Sequence, residues 1–460
     1  MNEKKSKQVF ITKGNLLKVI LVLALPVIFN NFVLELYQTI DSFFAKSLGD
    51  TGLAVISFTS PIIGLLLSVS SAISIATTSL TARYLGKNNY KNARRTVAQI
   101  LGITMICSIL LTLTGLLFSY QIIKGLKASL EYLDLAVLYF KYNIAIIPLK
   151  FIGDIFFSYK AARGETLHTM IISFLGMAVK LIISIILIEK LQLGVLGMGL
   201  ATLGSYSVVL IAAVYDMFIK KSEFTLKIDE FKPLKTILLP FLIMIIPLVI
   251  EKTTFSFSHV LVNMLITPFD KSVIAAYGLS NRINSLIFAV PNALGSVTIT
   301  IVAQNLTSGN EDRNKKTILL AHIISFILGA ILLMVLYVFH EDIISLFSKD
   351  PAVIKETIRA QRLYSHTVFS WAVMQITMGV FYASGYSFIP IIIGVARLFV
   401  FRIPTLYLLI TFTNLGADSI WYCMLIANNL AGILSLIFLF TINWRKPPKY
   451  LNLQQEKQSA

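Results

Sequence analysis

Long apolar runs separated by short charged stretches account for almost the whole chain. Twelve such runs can be placed, near 16–43, 53–80, 96–119, 133–159, 167–188, 194–216, 235–261, 273–303, 317–339, 358–383, 387–412 and 419–443. Each is long enough for a helix to cross roughly 30 Å of hydrocarbon. Several exceed that minimum, which implies tilting, kinking or extension past the bilayer. The pattern predicts an all-α polytopic membrane protein with twelve transmembrane helices.

The stretches between the runs predict its orientation. Basic residues crowd alternate connections: Arg83, Lys87, Lys91, Arg94 and Arg95 after the second run, Lys160 and Arg163 after the fourth, and Arg313, Lys315 and Lys316 after the eighth. The N-terminal stretch with Lys4, Lys5 and Lys7, the central linker with Lys220, Lys221, Lys227 and Lys232, and the tail with Arg445, Lys446 and Lys449 fall on the same side. The intervening connections are weak or acidic, as with Lys46 and Asp50, or Glu341 and Asp342. By the positive-inside rule both termini are expected in the cytoplasm. The first run is too long for a signal-peptide core and reads as a retained helix.

One spacing recurs along the chain. Pro247 matches Pro26 at an offset of 221, Glu251 matches Asn30, LAVISF from Leu53 matches IAAYGL from Ile274, and Ala162–Gly164 matches Ala383–Gly385. The sixth and twelfth runs need a single extra residue. Each half contains an even number of spans, so both copies enter from one side, a parallel repeat about an axis along the membrane normal. The expected organisation is a six-helix lobe at 1–216, a linker at 217–234, a second six-helix lobe at 235–443 and a tail at 444–460. Two like bundles that rock around a shared cleft are the architecture of a transporter.

Composition sharpens the picture. Apolar residues make up 56% of the chain and charged ones only 14%, where a soluble domain carries about a quarter. The formal charge of +17 would suit nucleic acid, but the cations lie in short interhelical stretches and leave no soluble domain to bind a duplex. Cys107 and Cys423 sit in apolar runs without metal-ligand spacing and read as buried free thiols. No nucleophile–base pair, phosphate loop or nucleotide fingerprint is present, so an enzyme is not expected, and the expected energy source within the chain is an ion gradient or none. No cofactor is expected beyond a transported H⁺ or Na⁺, and no partner beyond the lipid bilayer and small organic substrates; the expected state is a monomer.

Charges inside apolar runs are expensive and mark function. In the first run, Asn30, Tyr37 and Asp41 share one helical stripe, while Asn31, Glu35 and Gln38 form a second about 100° away. Asp41 could exchange a proton or hold Na⁺, or it could be a helix-end residue. Glu35 is either a coupling partner or a packing residue paired to a lysine. Lys150 and Asp154, four apart, suit a local ion pair. Lys180 has no acid nearby in sequence; its amine should find Asp41, Glu35 or Asp154, or snorkel. In the second half Glu251, Lys252, His259, Asn263, Arg282 and Asn284 lie at membrane depth. Glu251 and Lys252 are adjacent and, pointing about 100° apart, are not expected to pair. Arg397 and Arg402 precede Pro404; an arginine here lines the cavity, pairs with Glu251 or snorkels. Tyr37 and Tyr277 are candidates for aromatic walls of the cavity.

LALPVIFNN and QTIDSFFAKSLGDTGLA within Leu23–Ala54, TSLTARYLGKNNYKNARR at Thr78–Arg95, KAARGE around Arg163, LGVLGMGLAT at Leu193–Thr202, IVAQNLTSGNEDRNKK at Ile301–Lys316, and RIPTLYLL with LGADSIW within Arg402–Trp421 resemble the multidrug and toxic compound extrusion family. The resemblance covers essentially all twelve runs. It implies a cation-coupled antiporter that expels organic cations and other hydrophobic drugs in exchange for Na⁺ or H⁺. It also places the family's first-helix aspartate on Asp41, its proline on Pro26, its cavity tyrosine on Tyr37, a fourth-helix polar position on Asp154, a sixth-helix threonine on Thr202 and a seventh-helix glutamate on Glu251. The fifth helix departs from the pattern: Lys180 and Ser184 stand where many relatives carry Asn and Asp. A fixed ammonium there disfavours a Na⁺ site of that form.

The resulting expectation is an inner-membrane, H⁺- or Na⁺-driven exporter of amphipathic, cationic compounds. Asp41, Glu251, Glu35, Asp154 and Lys180 are its candidate coupling residues. Tyr37, Asn30, Thr202, Asn263, Tyr277, Arg282 and Arg397 are its candidate substrate contacts. The nearest rival is a flippase of lipid-linked oligosaccharides of the same fold group, for which Lys180, Arg282 and Arg397 would meet phosphate. A non-transporting scaffold or sensor is a more distant one.

Overall fold

The computed structural model describes residues 9–47, 49–126 and 128–452, and every regular element among them is helical. The side chains of Gln38, Lys46, Asp50 and His259 lie outside the described residues, as do the lysines before Val9 and the tail beyond Asn452.

The apolar runs become α1 (Leu16–Ser47), α2 (Gly49–Gly86), α3 (Tyr90–Leu117), α4 (Leu133–Ala162), α5 (Thr166–Ser184) and α6 (Gly194–Val214). The second half supplies α7 (Lys235–Ile266), α8 (Lys271–Thr307), α9 (Glu311–Val338), α10 (Val368–Ser384), α11 and α12 (Asp418–Thr441). α11 is composite: Phe388–Val395, a π-helical stretch Ala396–Arg402, then Ile403–Phe412. α5 and α6 also run on into π-helical turns, Ile185–Lys190 and Tyr215–Ile219.

Eleven of these spans are long and apolar enough to cross a membrane unbroken, among the described residues. The twelfth is interrupted. Pro351–Tyr364 passes through a 3₁₀ turn at Ser365–Thr367 into α10. Its first part carries Lys355, Glu356, Arg359 and Arg362, so only α10 is free of charged residues.

The repeat spacing is visible in which residues face outward. On α3, Ile106, Leu110, Leu113 and Leu117 are exposed; on α9, Ile327, Ile331, Met334 and Val338 are exposed, each 221 positions later. Three- and four-residue steps place each set on one helical face. An apolar stripe of that length left outside a packed protein is a surface made for lipid. The same face corrects the expectation for Cys107, which is exposed beside Ile106; Cys423 is buried, and both are free thiols. An apolar run that borders lipid has an outside as apolar as its inside, so hydropathy cannot tell the two apart.

By compactness the chain forms two units. One holds Phe32–Ile245 (the N-unit). The other holds the residues up to Asn31 together with Ile246–Asn452 (the C-unit). The divisions fall inside α1 and α7, five residues after Pro26 in one case and just before Pro247 in the other. A proline removes a backbone donor and disturbs the preceding turn, so both changes of membership lie near a weakened point in a long helix.

In the N-unit, charge fixes the connections. Glu230, in the 3₁₀ turn Ile228–Phe231, is buried and ion-paired to Arg94 of α3 at 2.8 Å. Gln99 of the same helix accepts from the Leu234 N–H at 3.0 Å. At the ends of α4 and α6, Lys160 bridges Glu165 (2.8 Å) and Asp216 (2.6 Å), and Arg163 reaches Glu165 at 2.5 Å.

In the C-unit, α8 is the central helix, buried along most of its length from Ile283 to Asn305. It meets α10 at backbone contact: a Cβ on Gly295 would lie 2.7 Å from the Gln375 carbonyl oxygen, and one on Gly379 2.5 Å from that of Gly295. Arg313 of α9 donates to the Ile11 and Gly14 carbonyls at 3.0 and 2.7 Å, which ties down the segment before α1. Gly385 ends α10 at φ +88°, a conformation that suits glycine. Its carbonyl accepts from the Tyr450 hydroxyl, which anchors the segment after α12.

Candidate functional site

Among the described residues, each unit carries charged side chains inside its spanning helices. In the N-unit, Lys180 on α5 meets Asp41 on α1, with Nζ 2.7 Å from Oδ1 and 2.8 Å from Oδ2. Of the three acids considered from sequence, Asp41 is the one it reaches. The pair is asymmetric: the Lys180 side chain is 2% exposed and that of Asp41 is 28% exposed. The ammonium also lies 4.8 Å from the Tyr37 ring centroid. Such a contact adds a modest cation–π attraction.

Tyr37 is fixed through its hydroxyl, which hydrogen-bonds to Ser205 on α6. A Cβ on Gly176 would stand 3.1 Å from that oxygen, so the glycine on α5 leaves room for the ring. The neighbouring Tyr206 leads to the second pair. Its ring lies 5.8 Å from the Lys150 ammonium, and Lys150 binds Asp154 at 2.8 Å along α4. Asp154 also accepts a hydrogen bond from Ser70 on α2. Each carboxylate therefore has its own ammonium, and the four charges cancel.

The Thr202 hydroxyl is turned back onto its own helix, donating to the Met198 carbonyl at 3.0 Å. Glu35 is half-buried. Asn30 belongs to the C-unit, where its side-chain oxygen is buried without a partner; its neighbour Asn31 donates to the Ala289 carbonyl at 3.0 Å.

In the C-unit, Glu251 on α7 pairs with Lys252 at 3.0 Å, against the expectation that adjacent residues would not meet. The reason is the Tyr382 hydroxyl of α10. It donates to Glu251 Oε2 at 3.1 Å and lies 3.4 Å from the Lys252 ammonium. Both flexible side chains bend towards this shared oxygen, which cancels the 100° between their Cβ directions.

Arg397 does not pair with Glu251. It and Arg402 are buried in the π-helical stretch of α11 beside Asn428 of α12. Tyr277 is buried and stacks on Trp421, with centroids 6.4 Å apart. Arg282 lies 5.9 Å over the Phe347 ring, and Asn263 is exposed. Sequence reasoning passed over Ser205, Tyr206 and Ser70 in the N-unit, and Ser258, Tyr382 and Asn428 in the C-unit. Neutral residues in apolar helices give little signal; only the adjacent pair in GSYS stands out in its run.

Paired charges within a twelve-span chain built from two copies of six helices define a polytopic membrane transporter. The MatE family profile matches residues 26–186 and again 247–408, its two matches starting at the two repeat prolines, and the chain belongs to that family. It is thus a transporter and not an enzyme. It is similar to "Probable multidrug resistance protein YoeA" of Bacillus subtilis, 23% identical over 81% of this chain and 82% of that one. It is also similar to "Multidrug export protein MepA" of Staphylococcus haemolyticus, 21% identical over 96% of this chain and 97% of that one. The solved outward-facing structure of a multidrug resistance MATE family transporter shares the fold, with a TM-score of 0.90 at 20% identity over 97% of this chain and 98% of that one.

Proposed function

We propose that this chain is a proton-coupled exporter of amphipathic, mainly cationic compounds that works by alternating access in the bacterial inner membrane, with both termini in the cytoplasm. The Lys180–Asp41 pair at 2.7 Å carries the reading. A carboxylate inside an apolar helix needs a counter-ion, and here the protein supplies one on a tether. Three species then compete for Asp41: the Lys180 ammonium, a proton and the charged end of a substrate. The carboxylate is the open member of the pair, so protons and cations reach it while the ammonium stays sealed.

A substrate cation would displace Lys180 from Asp41 and lay its apolar part against Tyr37 and Tyr206. Protonation from the far side would remove the charge that holds both. Each ligand shifts the balance between conformations only through its different affinity for each of them, which is what obligatory exchange requires. Sodium is the weaker candidate, because an ammonium already fills the place of a bound cation.

The test is efflux of a fluorescent organic cation from cells and inverted vesicles, with the proton and sodium gradients collapsed separately. Loss of efflux with the proton gradient alone is the expected result. Efflux indifferent to both collapses overturns ion coupling. D41N should abolish exchange, whereas E251Q should reduce it less; wild-type transport in both variants overturns the carboxylate switch.

A further inference from the structure

Arg397 and Arg402 are 4% and 3% exposed, in the middle of a spanning helix. In an α-helix, residues five apart point about 140° from each other. The π-helical stretch Ala396–Arg402 changes this, because its wider turn narrows the angle between such residues. The two guanidinium groups consequently share one acceptor: Arg397 Nη1 and Arg402 Nη2 lie 3.5 and 3.3 Å from Asn428 Oδ1. The Asn428 amide is held in that orientation by its own donation to Thr367 Oγ1 at 3.1 Å. Arg402 Nη1 donates to Ser258 Oγ at 3.0 Å.

All of these acceptors are neutral. Among the described residues neither arginine forms an ion pair, and Arg402 Nε is buried with no partner. The carboxylate of Glu251 packs nearby, since a Cβ on Gly394 would meet its Cγ at 3.3 Å, but Lys252 and Tyr382 already engage it. Two adjacent buried cations without a counter-ion are costly to fold. Cation–π contacts offset part of that cost, with Arg397 4.9 Å from the Phe255 ring and 5.1 Å from the Trp371 ring. Phe255 is 37% exposed while the arginine beneath it is almost sealed, so this ring is the outermost cover of the pair.

We propose that Arg397, Arg402, Asn428 and Ser258 form a binding site for a carboxylate or phosphate group carried on an aromatic molecule. The anion would take the unused guanidinium donors, whose planar forks match such groups. The aromatic body would replace Phe255 against Trp371, which already stacks on Phe288 at 5.0 Å. Building on the exporter reading, this extends the cargo from organic cations to aromatic anions and zwitterions, with the acid pairs in the N-unit and the anion site in the C-unit.

The test uses the full chain in phosphatidylcholine nanodiscs, titrated calorimetrically with phenyl phosphate and with benzoate. Saturable binding is expected, weakened at least about tenfold in R397Q and R402Q. N428D guards against a misfolded variant. It places a carboxylate between the two guanidinium groups, and should raise the melting temperature while abolishing phenyl phosphate binding. A second set of discs containing phosphatidylglycerol separates the sources. If a lipid headgroup is the occupant, that lipid will raise the wild-type melting temperature and block phenyl phosphate, both effects will be lost in R402Q, and the assignment to an aromatic cargo is overturned. Binding unchanged in R402Q and N428D, or no saturable binding in either lipid, overturns the proposal. Failure of cation efflux in the wild type would overturn the exporter reading and leave these binding results standing.

Discussion

Lys180 and Asp41 are separated by 139 residues, yet the ammonium sits 2.7 and 2.8 Å from the two carboxylate oxygens. The pair is unequal because one partner is sealed and the other half-open. D41N strands an ammonium that is 2% exposed and should destabilise the protein by about 3 kcal/mol. K180M leaves a carboxylate that is 28% exposed and can gather water, so its cost should be about 1 kcal/mol. The double variant D41N/K180M should regain most of the loss seen in D41N. Thermal unfolding of the four proteins in one detergent checks the ranking, and equal losses in the two single variants would refute the asymmetry.

The same pair bears on the choice of coupling ion. If the Lys180 ammonium takes the place of a bound cation, then K180N removes that cation and supplies a neutral oxygen ligand beside Asp41. Fluorescent-cation efflux by K180N is expected to gain a dependence on the sodium gradient that the wild type lacks. Stimulation by sodium in the wild type, or none in either, would count against a tethered counter-ion.

Arg94 and Glu230 make a second unequal pair, with side chains 14% and 2% exposed. Arg94 also donates to the Glu223 carbonyl at 2.5 Å, so one guanidinium pins the linker at two points. R94A would leave a buried carboxylate unpaired, at a cost of about 3 kcal/mol. The linker should then open locally before the helices do. Trypsin should cut at Lys220, Lys221 or Lys227 faster in R94A than in the wild type, with the spanning helices intact. Unchanged cleavage would show that the clasp does not hold the linker.

The spans, the repeat and the need of Lys180 for an acid were legible in the sequence because each rests on a strong local signal: a long apolar run, matched prolines, and a lone cation in an apolar helix; the choice of Asp41 over Glu35 and Asp154 was not. What stayed hidden had none. Glu230 lies in a charged stretch that reads as a solvated loop, although it is one of the most deeply buried acids. The change of unit between Asn31 and Phe32 falls in an unbroken apolar run. The pairing of Glu251 with Lys252 depended on Tyr382, which is 131 residues away from Glu251. The approach of Arg397 to Arg402 depended on a π-helical stretch that helical periodicity does not anticipate. Long-range hydrogen bonds and departures from 3.6 residues per turn are the common causes.

Within the C-unit, the tightest crossing is that of α8 and α10, and its geometry rests on two glycines. A Cβ on Gly379 would lie 2.5 Å from the Gly295 carbonyl oxygen, which is backbone and cannot rotate aside. Close approach of this kind is how helices associate in lipid, where no hydrophobic force draws them together. G379A must therefore push two buried helices apart, and overpacking of that sort costs about 1–3 kcal/mol. By contrast, a Cβ on Gly278, near the start of α8, meets nothing within 4 Å, so G278A should be neutral or slightly stabilising through helix propensity. Melting temperatures in detergent should fall for G379A and hold for G278A. Trp371 on α10 is tied to Asn292 on α8 at 2.9 Å, so a shift of α10 would also reach the aromatic wall beside Arg397. G379A should then weaken phenyl phosphate binding as well as stability, while a variant that melts early but binds normally would place the anion site outside the influence of this crossing.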